Sequence, residues 1–228
     1  MLVATLGEQV DLRRPAPLER LLEEFLARRW LSFSHDHDLG TVSGGRKIYG
    51  EFVANPVEIH IDRSVPLWSP RVRFTLAHDS GHFVLHRRLI GPGRYIDRTQ
   101  IPADSAACMK YREMASMSDR GWAEWQANEF ALALIMPLAA ASRSIREVQL
   151  ELGILRNVGL IFLDHQPENQ INCGLILGKL RHEYQISEVM LRRRLRSLGI
   201  LKDWRPATRE AKFRELGTLF YAGGEGED

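Results

Sequence analysis

The chain has 228 residues and a formal net charge of +2, enough for one substantial domain or one domain with a small appendage. A hydrophobic fraction of 44% beside 26% charged residues is that of a soluble globular protein, and the longest apolar run, 130–141, is broken by Pro137 and too short to span a bilayer. The two cysteines, Cys108 and Cys173, make no disulfide framework and fit a reducing cytoplasm, and acids close behind a short apolar start make the N-terminus unlike a signal peptide.

The first predicted element is a helix over 15–30, where Leu18, Leu21, Leu22, Phe25 and Leu26 recur at helical spacing. The stretch 34–45, SHDHDLGTVSGG, reads as a polar loop; His35, Asp36, His37 and Asp38 could bind a metal, but adjacent polar residues are expected to be solvated. Two alternating segments, 47–55 and 57–62, read as strands joined at Asn55-Pro56, with His60 structural. Ser69-Pro70 opens a helix expected to run to about Arg88, with proline in the first turn. Residues 90–100 contain Gly-Pro-Gly and read as loop. A tryptophan-rich helix follows over 120–136, then helices over 138–152, 174–184, 187–198 and 207–220; 159–163 is an apolar run of open type.

The chemistry concentrates in Arg73-Phe-Thr-Leu-Ala-His-Asp-Ser-Gly-His82. His78 and His82 are four residues apart, so a helix projects both imidazoles from one face toward one metal ion. Asp79 stands where a zinc-peptidase helix of the H-E-x-x-H type carries its glutamate. Two histidines leave a catalytic site one protein ligand short. Glu124, on the tryptophan-rich helix, is the best third ligand, because a carboxylate amid so much apolar surface needs a partner; Glu129 is the alternative, on another face. His86 continues the series and could orient the site or contact substrate, but a packed or capping role is favoured. Gly81 implies a close approach, by packing or by substrate, and Tyr95 and Tyr111 are possible oxyanion donors. His78-Asp79 alone would also fit a metal phosphohydrolase of the HD type, but that leaves His82 and Glu124 unexplained.

The two segments RFTLAHDSGHFVLH and EWQANEFALALIMP, in this order, resemble the ImmA/IrrE family of zinc metallopeptidases, whose pattern is close to RFTLAHELGHxxLH followed by ExxANxFAxxLLMP. The resemblance covers about 15–137. It implies an α+β fold with a gluzincin-like core, Zn2+ held by His78, His82 and Glu124, and Asp79 at the general-base position. It also implies a cytoplasmic regulatory peptidase whose protein partner is a helix-turn-helix transcriptional repressor. The departure is the aspartate, shorter than glutamate by one C–C bond of about 1.5 Å.

The C-terminal part is basic: 179–214 holds eleven Lys/Arg against four acids. Within it, 178–201 has the shape of a helix-turn-helix, with a turn near Gln185-Ile186-Ser187 and a second helix carrying Arg192, Arg193, Arg194 and Arg196 as possible partner or nucleic-acid contacts. A solvated basic face over core leucines is favoured over DNA binding. The expected organisation is a metallopeptidase-like domain over 1–140 and a mainly helical region over 141–228. The rival reading is a zinc-binding but non-catalytic regulator that binds a repressor or DNA.

Overall fold

A computed structural model describes residues 18–28, 31–41, 45, 47–54, 56–67, 69–89, 98–102 and 119–205. The elements in chain order are α1 (Leu18–Ala27), β1 (Ser32–His37), β2 (Ile48–Ala54), β3 (Val57–Asp62), α2 (Pro70–Leu85), β4 (Arg98–Pro102), α3 (Asp119–Ile135), α4 (Leu138–Glu151), β5 (Ile161–Leu163), α5 (Pro167–Tyr184), α6 (Glu188–Ser197) and β6 (Leu201–Asp203). The fold is α+β. No helix among the described residues is long and apolar enough to cross a membrane.

The main sheet has the order β1-β3-β2-β4. β2 pairs antiparallel with both β3 and β4, and β1 joins β3 in parallel. β2 ends at Ala54 and β3 begins at Val57, so the two strands meet where the sequence predicts them to join. β5 and β6 form a separate parallel pair that brackets α5 and α6.

Four expectations shift. Residues 34–37, read as loop, belong to β1: they are polar because β1 lies at an edge of the sheet, and its backbone pairing with β3 supplies the order. Residues 98–100, also read as loop, belong to β4 at the other edge. α2 stops at Leu85 instead of Arg88, with a short 3-10 turn over Arg87–Leu89. α5 begins at Pro167, ahead of the predicted 174, because Pro167 suits a first-turn position and Glu168 meets the helix N-terminus. The open run 159–163 contains strand β5. The predicted helix 207–220 lies outside the described residues.

α2 lies between the sheet and α3. This is why Ala77, His78, Asp79, Ser80, Gly81 and His82 are all buried, with no solvated face in that stretch. Small residues permit the crowding. On the sheet side, a Cβ on Gly50 would sit 2.2 Å from Thr75 Cγ2. On the α3 side, Ala123, Ala127 and Ala131 form a buried stripe at four-residue spacing. A Cβ on Gly81 would lie 3.2 Å from both the Ala127 Cα and its carbonyl oxygen. The buried core is continuous from Phe52, Ile59 and Ile61 in the sheet through Leu132 and Ile135 in α3 to Ile145, Leu180 and Leu191 in the C-terminal helices.

Candidate metal centre

Ser69 accepts a hydrogen bond from the Val72 N–H and caps α2, so the helix starts where the Ser-Pro pair places it. Eight residues later His78 faces α3, and His82 follows one turn on. Across the interface Glu124 projects from α3. Its Oε2 lies 3.2 Å from His78 Nε2 and 3.5 Å from His82 Nε2, and the two Nε2 atoms are 3.0 Å apart. Among the described residues this is the group of three or more His, Cys, Asp and Glu whose donor atoms converge closely enough to hold a metal ion.

The dimensions fit a tetrahedral ion. Bonds of about 2.0–2.1 Å to nitrogen and oxygen place neighbouring ligand atoms roughly 3.3–3.4 Å apart, and the three observed separations bracket that value. The tautomers fit as well. His78 Nδ1 lies 3.0 Å from Asn128 Oδ1, an oxygen that can only accept, so His78 donates there and its Nε2 is left to the triangle. His82 Nδ1 lies 3.1 Å from His86 Nδ1, on the side away from the triangle. Two bare imidazole nitrogens at this distance need a cation or a proton between them.

The charge states match. Burial would depress His78, but the Glu124 hydrogen bond and the negative charges of Asp79 and Glu124 hold its imidazolium above its ordinary value. Burial carries His82 down to about 4, with His78 and His86 pushing the same way against Glu124. Burial would raise Glu124, yet the hydrogen bond from His78 and the closeness of both imidazoles hold it well below the usual carboxylate range. Without a metal the triangle is therefore an ionised carboxylate sharing one proton with two imidazoles, and a divalent cation would take that proton's place.

Asp79 is fully buried, and neither carboxylate oxygen has a hydrogen-bond partner among the described residues. Burial pushes it up to about 7; His78 opposes the shift, while Glu124 and Glu51 add to it. An unpaired buried carboxylate is costly, and water or substrate held at the centre would offset that cost.

Other sequence-derived candidates fall elsewhere. Glu129 turns away from the centre and binds Arg193, with an N···O distance of 2.6 Å. His35 donates to the Val65 carbonyl, His37 stacks on His60 with ring centroids 3.9 Å apart, and Asp38 pairs with Arg63, so the His-Asp-His-Asp run is spent on structure. His60 sits between Glu51 and Glu58. Cys173 is a buried free thiol. Tyr95, Tyr111 and Cys108 lie outside the described residues. Gly81 is explained by the contact with Ala127.

The four arginines of α6 all have partners inside the fold. Arg192 binds Glu188 at 2.8 Å, Arg193 binds Glu129, Arg194 donates to the Met136 carbonyl at 3.1 Å, and Arg196 binds Asp203 at 2.7 Å. Gln185 at φ 50° ends α5, and Ser187 caps α6, as the sequence predicts for that turn.

Sequence reasoning missed Gln126, Asn128 and the buried Glu51. Asn128 had a signal, since it lies four residues after Glu124 and so shares its face of α3. Glu51 had none, because its burial depends on which side of the sheet receives α2. No family model matches the chain, and no curated protein matches it.

Proposed function

We propose that this chain is a zinc-dependent metallopeptidase of the ImmA/IrrE type that cleaves a protein partner such as a helix-turn-helix repressor. The observation that carries the reading is the donor triangle of His78, His82 and Glu124, with edges suited to a tetrahedral ion and histidine tautomers turned toward it. In this reading α2, α3 and the main sheet form a gluzincin-like core within 1–140, and α5 with α6 forms a helix-turn-helix-like unit within 141–228. The setting is the cytoplasm.

When bound, zinc would polarise a scissile carbonyl and lower the pKa of water. The chain's own residues do the rest. His78, His82 and Glu124 would hold the ion, and Asn128 holds the His78 ring through Nδ1. Asp79, at a carboxylate oxygen, accepts the proton of the attacking water and returns it to the leaving amine.

A second reading has its own observation. Asp79 is shorter than the glutamate its position calls for, and its oxygens have no hydrogen-bond partner among the described residues. A protein that keeps the zinc centre for stability and binds a repressor or DNA without cutting would tolerate this.

The experiment is elemental mass spectrometry of tag-free protein, comparing wild type with Glu124→Ala. The expected result is about one zinc per chain in wild type and its loss in the variant. Wild-type protein that takes up no metal even after zinc is added back overturns both readings.

A further inference from the structure

We propose that His86 and Gln126 are positioning residues of the metal centre, forming a one-way hydrogen-bond chain that fixes which nitrogen of His82 is free to bind metal. The inference rests on the metal reading of the triangle and deepens it. His86 follows His82 by four residues and closes α2, its backbone N–H reaching the His82 carbonyl at 2.9 Å. Its ring is buried beside that of His82, centroids 5.1 Å apart. His82 Nδ1 and His86 Nδ1 are 3.1 Å apart, and His86 Nε2 lies 2.9 Å from Gln126 Oε1.

The direction follows from proton counting. A neutral imidazole carries one N–H, and an amide oxygen only accepts. His86 Nε2 therefore donates to Gln126, and His86 Nδ1 is left as an acceptor. His82 Nδ1 donates to it, which leaves His82 Nε2 bare inside the triangle. The reversed chain, with the amide NH2 facing His86, would put the proton on His82 Nε2, where it blocks the metal. One amide at the exposed end of the chain thus decides whether a buried ligand is competent. α3 supplies this control for both histidines: Glu124 is the ligand, Gln126 orients His82 through His86, and Asn128 orients His78 directly.

Two measurements test the chain on the full-length protein. The first is zinc affinity by competition with a chromophoric chelator for wild type, His86→Phe, Gln126→Leu and the double variant. His86→Phe is expected to weaken zinc binding about 10- to 100-fold, the usual effect of removing an outer-shell partner. Gln126→Leu, at an exposed position where folding is not at stake, is expected to weaken it severalfold, and the double variant to match His86→Phe, since Gln126 acts only through His86. The second is 15N NMR of histidine in metal-free protein. Wild type is expected to hold His82 with Nε2 unprotonated, and both single variants to show a mixture of tautomers. Unchanged affinity in both single variants, effects that multiply in the double variant, or a mixed His82 tautomer in wild type would each overturn the proposal. Failure of wild type to bind zinc would overturn the metal reading instead, and the tautomer measurement would still decide the chain.

Discussion

In the proposed peptidase, turnover would depend on Asp79. Its neighbours were legible: histidines at four-residue spacing share a helix face in any context, and a carboxylate in an apolar helix asks for a cation. The partners that tune them were not legible, because Gln126, Asn128 and Glu51 matter only once the packing of α2 on α3 and on β2 is known. The shortened base makes a specific prediction. Aspartate falls about 1.5 Å short of glutamate, and a misplacement of about 1 Å can cost around a hundredfold in rate. Asp79→Glu is therefore expected to raise hydrolysis of a fluorogenic peptide library by up to about a hundredfold, with zinc content unchanged. Equal rates would mean that the local backbone already brings Asp79 within reach of the water. Absence of cleavage by either form would support the non-catalytic reading.

At the scale of elements, the strongly patterned segments declared themselves. α2 starts at its Ser-Pro cap, α3 and α4 are separated by Pro137, and β2 and β3 show clear alternation. The edge strands β1 and β4 did not, since much of what orders an edge strand is its neighbour's backbone and not its own pattern. The packing of α2 against α3 links element geometry to the candidate centre, because two of its donors ride on one helix and one on the other. Gly81 sets how close the helices come: a Cβ there would stand 3.0 Å from Phe130 Cδ1 and 3.2 Å from the Ala127 backbone. Phe130 can turn aside, but the Ala127 backbone cannot. Gly81→Val is expected to destabilise the fold by about 1–3 kcal/mol through overpacking, read by chemical denaturation of metal-free protein. By moving Glu124 away from the histidines it is also expected to weaken zinc at least about tenfold. A variant that loses stability but keeps full zinc affinity would show that the centre tolerates changes in helix separation.

Across the whole molecule, the charge count of the C-terminal segment points one way and its contacts another. Eleven basic residues in 179–214 invite a nucleic-acid reading, yet Arg193 and Arg194 reach back to α3 and the residue that follows it, binding Glu129 and the Met136 carbonyl. These links tie α6 to the helix that carries Glu124. The pairing could not be read from sequence, since Glu129 and Arg193 are 64 positions apart and each is plausible in several roles. Both side chains are largely sheltered, Arg193 at 14% and Glu129 at 27% exposure, so the pair contributes more than a surface ion pair. Arg193→Ala is expected to destabilise the protein by about 1–3 kcal/mol, with a coupling energy of similar size to Glu129→Ala in a double-mutant cycle. The same variant is expected to leave the affinity for duplex DNA, measured by fluorescence anisotropy at low and physiological salt, weak and unchanged. Tight, steeply salt-dependent duplex binding that disappears in Arg193→Ala while stability is retained would instead make the basic helix a nucleic-acid contact, and the link to α3 would then be incidental to its role.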